Sequence, residues 1–264
     1  MDIRRRSMLL SEGGVIYYTS SDNKIVTPYK TDVFGANITN NVYINGQGII
    51  SFDGPITTIG NEAFYSCDSL TSVTIPDSVT TIGDRAFRDC SSLTSVTIPD
   101  SVTTIGNYAF YFCDSLTSVN IPDSVTKIGN KAFFFCESLT SVTIPNSVTE
   151  IGSSAFYGCS SLESVTIPDS VTMIGNYAFT NCTRLTSVTI GDSVTTIGDH
   201  TFRSCTSLTS VYCKATTPPA LRGTSVFDNN GSGRKIYVPT GSVNAYRRAS
   251  NWNEYASAIV GYNF

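Results

Sequence analysis

Cysteine is the residue of this sequence with the widest chemistry, since a thiol can form a disulfide, ligate a metal or act as a nucleophile. Seven of the eight cysteines recur at a constant interval of 23 residues. A catalytic or ligating thiol is normally singled out from its neighbours, whereas these thiols share one repeated position. They are Cys67, Cys90, Cys113, Cys136, Cys159, Cys182 and Cys205.

This regular spacing favours a structural role for the thiols. Equivalent positions of successive repeats stack on one another, and a free cysteine behaves as a small buried apolar residue. One thiol per repeat makes a line rather than a tetrahedral cluster, and His200 is the only histidine. We therefore predict a column of reduced, buried thiols, with no metal and no cofactor.

Few other residues offer catalytic chemistry. His200 stands at a variable position, where no partnered nucleophile is expected. Asp77, Asp100 and Asp123 recur at one position of the repeat, but one oxygen per repeat falls short of the 6 to 8 ligands that Ca²⁺ takes. Turn capping explains these carboxylates better, and the sequence predicts a protein that is not an enzyme.

The cysteines belong to a unit that starts at Leu70 and reads LTSVTIPDSVTTIGDRAFRDCSS. Six such units, this one included, run without insertion or deletion from Leu70 to Ser207, and a period of this length predicts an elongated stack of coils. Val73 and Ile75 alternate with polar residues, which is typical of a half-buried strand. Asp84 is a candidate N-cap for a short helical turn that carries Phe87 and the cysteine.

Three segments follow from the extent of the repeat. Residues 1–46 are predicted to form an N-terminal tail and cap, and residues 47–213 the repeat array with its 23-residue period. The array begins with a divergent unit, in which Ile50 and Phe52 fall one period before Val73 and Ile75. Residues 214–264 are predicted to form a C-terminal cap with a strand and a helix.

Charge and hydropathy exclude several classes of function. The net charge is -4 and the repeats contain few basic residues, which argues against nucleic-acid binding. The apolar run Met8–Leu10 after Arg4–Arg6 is too short for a signal peptide, and no run approaches the ~20 residues of a membrane-spanning helix. We expect a monomer that neither inserts into a membrane nor carries its own export signal.

The unit Leu-x-x-Val-x-Ile-Pro-x-x-Val-x-x-Ile-Gly-x-x-Ala-Phe-x-x-Cys resembles the BspA-like, or Treponema-type, class of leucine-rich repeat, over residues 47 to 213. The resemblance implies an α/β repeat solenoid, curved, with parallel strands on the concave side and short helical turns opposite. It also implies a bacterial cell-surface or extracellular protein that binds a host or bacterial surface protein or glycan. Gly191 departs from the pattern, since it replaces the proline of the last regular unit.

Positions that vary between units are where partner choice could be encoded. The strand positions carry nearly constant Ser and Thr, which β-propensity and solubility explain. The positions around the predicted helical turn vary and include a row of aromatics, typical of a contact surface; alternatively, these rings lie flat over neighbouring coils as outer packing. The candidate ligand-binding residues are Tyr108, Tyr111, Phe112, Phe134, Phe135, Tyr157 and Tyr177.

The sequence predicts an adhesion or binding protein first. A phage or prophage receptor-binding component is an alternative, because it would face outward without its own signal. A structural spacer, whose repeats only set a length, is the third.

Overall fold

The structure is a computed structural model that describes residues 14–264, and strands are its main regular element. The basic run Arg4–Arg6 lies outside these residues. The strands are β1 (Val15–Ser20), β2 (Ile38–Ile44), β3 (Gln47–Phe52), β4 (Thr58–Ile59), β5 (Leu70–Thr74), β6 (Thr81–Ile82), β7 (Ser95–Thr97), β8 (Thr104–Ile105), β9 (Ser118–Asn120), β10 (Lys127–Ile128), β11 (Ser141–Thr143), β12 (Glu150–Ile151), β13 (Ser164–Ile167), β14 (Met173–Ile174), β15 (Ser187–Ile190), β16 (Thr196–Ile197), β17 (Ser210–Cys213), β18 (Ala220–Leu221), β19 (Lys235–Pro239) and β20 (Ile259–Tyr262). The helical elements are α1 (Val243–Arg248) and the 3-10 helices Thr240–Ser242 and Trp252–Ala258.

Each regular coil contributes one strand of three to five residues and one strand of two residues. The two-residue strands form a continuous parallel sheet of eight strands, from β4 to β18. Its register advances by one repeat per strand, so that Ile82 pairs with Ile105 and Lys127 with Glu150. The predicted stack of coils is confirmed.

The longer strands form the second ladder, and they too pair in parallel along the repeats. This ladder is interrupted between β7 and β9 and between β11 and β13. It continues beyond residue 213, because β19 pairs in parallel with β17 and β20 in parallel with β19. Residues 214–264 therefore add strands to the stack as well as the helix α1.

The N-terminal strand β1 lies between β3 and β5 and is antiparallel to both. Ile16 pairs with Ile50, and Tyr18 pairs with Val73. The divergent first unit is thus separated from the next one on this side, although β4 pairs directly with β6 on the other. The 23-residue spacing between Ile50 and Val73 predicts direct pairing of their two strands, and it does not predict that β1 lies between them.

The predicted helical turn after each two-residue strand is wrong. The segment makes successive β-turns instead, such as the one closed by the hydrogen bond from the Ala86 N–H to the Gly83 carbonyl at 3.3 Å. Alternate N–H groups point to the next coil, as the Phe87 N–H does to the Ala109 carbonyl at 2.8 Å. Arg85 has a left-handed φ of 56°, which no right-handed helix can include.

The predicted N-cap position also has another role. The Asp84 carboxylate accepts a hydrogen bond from the Asn107 N–H of the next coil at 2.7 Å, and the Asn107 side-chain oxygen accepts one from the Asn130 N–H at 2.9 Å. These side chains join coil to coil rather than capping a helix. The glycine before each of them must lack a side chain, since a Cβ at Gly129 would lie 2.6 Å from the backbone of Gly106.

Two of the apolar columns in the interior link each coil directly to the next. One is the stack of buried phenylalanine rings, from Phe64 to Phe227, with centroids 5.2 to 5.6 Å apart. The other is the predicted thiol column, whose cysteines are free and buried. The six thiols from Cys90 to Cys205 donate to a phenylalanine carbonyl of the previous coil, as Cys113 does to Phe87 at 3.2 Å. Cys67 donates instead to the Thr27 carbonyl at 3.6 Å. Burial raises the pKa of Cys67 to about 11.

Candidate binding surface

The turn segment of each coil has two positions with a left-handed backbone. The first follows the Asp, Asn or Ser at the position of Asp84, and the second precedes the cysteine. A left-handed conformation costs a residue with a side chain roughly 1–2 kcal/mol, and glycine or asparagine adopts it most readily. The first set is Glu62, Arg85, Tyr108, Lys131, Ser154, Tyr177 and His200, and the second is Ser66, Asp89, Phe112, Phe135, Gly158, Asn181 and Ser204.

Four of the predicted site residues occupy these left-handed positions. The φ angles are 58° at Tyr108, 55° at Phe112, 54° at Phe135 and 59° at Tyr177. The next coil after Phe135 has Gly158 at the same position, which is the residue that the backbone favours there.

Three further rings lie between the two left-handed positions and stack across the coils. Tyr111 and Phe134 have centroids 4.8 Å apart and planes 5° apart, and Phe134 and Tyr157 are also 4.8 Å apart. Phe112 and Phe135 stack beside them at 5.4 Å. We call the following six residues the aromatic row: Tyr108, Tyr111, Phe112, Phe134, Phe135 and Tyr157.

The aromatic row combines the two interpretations that the sequence allowed. Its rings do pack on the neighbouring coils, so that Tyr111, Phe134 and Tyr157 are half-buried. The row is nevertheless open to solvent, and Phe112 is 37% exposed. Tyr177 stands apart from the row, since its ring stacks on His200 at 4.8 Å. Six of the seven candidate residues thus form one surface.

Charged side chains of both signs surround the row. The guanidinium of Arg88 lies 4.9 Å from the Tyr111 ring centroid, and the ammonium of Lys131 lies 5.3 Å from that of Tyr108, both within cation–π range. Asp114 comes two residues after Phe112. Partial burial, with the negative charge of Glu137 nearby, raises the pKa of its carboxyl group.

A second aromatic cluster lies on the strand side near the end of the ladder, and the sequence predictions missed it. Tyr212 stacks on Tyr237 with centroids 4.7 Å apart, and Tyr262 meets the two rings edge-on at 5.5 and 5.6 Å. Phe264 packs against Tyr262 at 5.0 Å. The signal in the sequence was the change from Thr189 to Tyr212 at an otherwise small polar position.

The single histidine, His200, has its contacts within its own coil and the neighbouring one. The His200 Nδ1 atom lies 2.7 Å from a carboxylate oxygen of Asp199. Thr201 next to it is buried and donates its hydroxyl to the Gly198 carbonyl at 2.7 Å. Within residues 14–264, no group of three or more His, Cys, Asp or Glu side chains is placed to hold a metal ion. The helices of this part of the chain are all too short or too polar to cross a membrane.

The parallel ladders and the repeated apolar columns define a leucine-rich repeat solenoid. The model of the BspA type leucine rich repeat region matches with six copies, over residues 57–172 and 126–250. The chain therefore belongs to the family of BspA-type leucine-rich repeat proteins. The match runs past residue 213, as does the strand ladder.

Solved structures of bacterial leucine-rich repeat proteins resemble this one. The T. pallidum leucine rich repeat protein is 36% identical, with a TM-score of 0.55, over 58% of this chain and 72% of that protein. A leucine-rich repeat protein from Bacteroides ovatus is 29% identical, with a TM-score of 0.47, over 79% of this chain and 63% of that protein. The pneumococcal vaccine antigen PcpA shares the fold at 21% identity and a TM-score of 0.52, over 80% of this chain and 59% of that antigen. No curated protein matches the sequence.

Proposed function

We propose that this chain is a non-enzymatic, surface-displayed binding protein that recognises a protein or glycan ligand through the aromatic row. One observation carries the proposal: bulky aromatic side chains occupy left-handed backbone positions where glycine or asparagine would be unstrained. Tyr108, Phe112 and Phe135 are such residues. Every coil has this backbone conformation, and strain persists where the surrounding structure imposes it. What distinguishes the row is that large rings fill these positions and stack on neighbouring rings, as Phe112 does on Phe135.

The chemistry of the row suits a macromolecular partner. Its stacked rings offer apolar area whose side-chain freedom is already restricted, so little entropy is lost on binding. Aromatic residues and arginine dominate the energetic centres of protein interfaces, and here Arg88 lies over Tyr111. Three coils at a spacing of ~4.8 Å place the row on a patch about 10 Å long, which suits the centre of a larger interface.

Membership of the family supports display at the cell surface, because BspA-type leucine-rich repeat proteins are typically surface or binding proteins. The partner is then a host or bacterial surface protein or glycan. The chain acts as a monomer in this proposal, with one row per molecule.

The test is an array of extracellular-matrix proteins, bacterial surface proteins and glycans, probed with the purified chain and with two variants. In the first variant Tyr111→Ser, Phe134→Ser and Tyr157→Ser remove the central stack of the row. In the second, Tyr17→Ser removes a ring on β1 that is 40% exposed and far along the chain from the row. Binding by the native chain should be reduced at least tenfold in the first variant and unchanged in the second.

Circular dichroism and thermal unfolding of the first variant serve as the folding control. If the variant folds and still binds at native strength, the site is not the aromatic row. If the native chain binds no component of the array, the structural-spacer alternative is favoured.

A further inference from the structure

The strand-side aromatic cluster borders a depression of about 450 Å³ at the end of the ladder. Two of its rings are open to solvent, with Tyr262 42% and Phe264 52% exposed. The apolar face of a ligand can therefore pack on rings that the fold already holds against one another. The residues that line the depression are Thr189, Tyr212, Lys214, Tyr262, Asn263 and Phe264.

Polar groups converge on the same depression. The Lys214 ammonium donates hydrogen bonds to both carboxylate oxygens of Asp169 at 2.8 Å, and its third proton is left for a ligand. The bond from Lys214 lowers the pKa of the Asp169 carboxyl, which keeps it an acceptor near neutral pH. The side-chain oxygen of Asn263 accepts from the Thr240 hydroxyl at 2.9 Å, so its amide nitrogen is oriented as a donor.

The charge of this site is balanced internally. The Lys214 ammonium is neutralised by Asp169, which lies beside the depression, and the other lining side chains are uncharged. A charged ligand would have to break the ion pair or remain unpaired itself, so an uncharged ligand is favoured.

The size of the depression also limits the ligand. Its volume of about 450 Å³ lies within the range of small-molecule sites.

We propose that this depression binds a neutral sugar, with one face of a pyranose ring on Tyr262 and Phe264 and its hydroxyls on Lys214, Asp169 and Asn263. Sugars have both an apolar C–H face, which suits the negative face of an aromatic ring, and a rim of hydroxyl groups. The hydroxyls can donate to the carboxylate and accept from the ammonium and the amide. The site is separate from the aromatic row and does not depend on the function proposed for it.

The ladder gap between β11 and β13 borders the same face. A groove of about 420 Å³ lies there, which shares Thr189 and Lys214 with the depression and is also lined by Asp169. Hydroxyl side chains line it, including Thr143 and Thr166. A second sugar unit linked to the first would lie in this groove, so the site should bind a disaccharide more strongly than a monosaccharide.

Saturation-transfer NMR with the full chain tests this site. The probes are methyl α-mannoside, methyl β-galactoside, N-acetylglucosamine, maltose, cellobiose and N-acetyllactosamine, with 3′-sialyllactose as the anionic comparison. At least one neutral sugar should receive saturation, and the Kd measured by titration should rise at least tenfold in Tyr262→Ser and in Phe264→Ser. The variant with Tyr111→Ser, Phe134→Ser and Tyr157→Ser is the matched control and should bind the sugar as the native chain does.

Three results would overturn the proposal: no neutral sugar receives saturation, both single-ring variants bind as the native chain does, or only the sialylated probe binds. Failure of the row variant to bind the sugar would also contradict it, because the two sites would not be separate. A glycan hit on the array that Tyr262→Ser and Phe264→Ser abolish belongs to this depression, so the aromatic row is judged only on the hits that these two variants leave unchanged.

Discussion

Two stacks of aromatic rings run through the same coils of this protein, and they differ in their surroundings. In the inner stack, Phe133 is fully buried and lies 5.2 Å from its neighbours. In the outer stack, Phe134 is half-buried and lies 4.8 Å from Tyr111 and Tyr157. Ring spacing is therefore similar in both, and it does not tell which stack maintains the fold.

The difference lies in the repetition and in the backbone. The inner phenylalanine recurs in every regular coil, as expected for a residue on which each coil depends. The outer rings occupy three coils, and their flanking residues Phe112 and Phe135 adopt left-handed φ angles. The inner stack is what the fold requires, and the outer stack is an addition that the fold tolerates.

The largest expected effect is the loss of stability at alkaline pH, through the buried thiol column that runs beside the inner phenylalanine stack. Burial raises the pKa of seven thiols: Cys67, Cys90, Cys113, Cys136, Cys159, Cys182 and Cys213. The native state then keeps these protons while the unfolded chain loses them above its ordinary thiol pKa of 9.0. Stability is full below that pH and falls as pH rises through the window from 9 to the raised native values, by about 1 kcal/mol per thiol, or roughly 7 kcal/mol in all, between pH 9 and 10.

Denaturant unfolding under reducing conditions at pH 8, 9 and 10, followed by circular dichroism, measures this loss. A Cys136→Ala, Cys159→Ala double variant should show a shallower fall, by about 2 kcal/mol over the same interval. A free energy of unfolding that stays constant from pH 8 to 10 would contradict the prediction.

Truncation of one ring in each stack compares the two regions directly. Phe133→Ala should lower the free energy of unfolding by about 3–5 kcal/mol, because it leaves a cavity in a fully packed column. Phe134→Ala should cost less than about 2 kcal/mol, since solvent already reaches that ring. Equal losses in parallel urea titrations would show that the outer stack maintains the fold as much as the inner one.

The smallest expected effect is the change in stability when the left-handed backbone strain at Phe112 is relieved. Phe112→Asn exchanges a strained ring for a residue that tolerates this backbone, and the lost contacts and relieved strain should leave stability within about 1 kcal/mol of the native value. Phe134→Asn, at an ordinary backbone position, should be less stable than Phe112→Asn by roughly 1 kcal/mol. If thermal melts give the two variants the same stability, backbone strain at Phe112 does not contribute to the free energy of unfolding.

The sequence predicted the stack because every core residue follows one period. Val73 and Ile75 recur with their polar neighbours in each unit, and burial of that pattern is possible only by parallel pairing. The helical turn was predicted wrongly because a three-residue step from Phe87 to Cys90 suits a helix and successive turns alike. The left-handed positions give no periodic signal of their own, and only Gly158 and Asn181 indicate them.

The ends of the stack were harder to predict than its middle. The pairing of β1 with Val73 depends on tertiary contacts that no local pattern encodes. At the other end, the inner stack steps by 25 residues from Phe202 to Phe227, which hides the continuation from a search at period 23. The second aromatic cluster was missed with it, because Tyr212 and Tyr237 are also 25 residues apart.

The glycine column gives the molecule an adjustable length. Gly129 lies against the backbone of Gly106, and Gly152 lies in the same way against Gly129. Because each coil meets its neighbours through the same residues, gain or loss of one 23-residue unit between the aromatic row and the strand-side depression would leave both surfaces intact. It would move them apart or together by one coil spacing, ~4.8 Å, so that duplication could match the separation of two attachment points on a target.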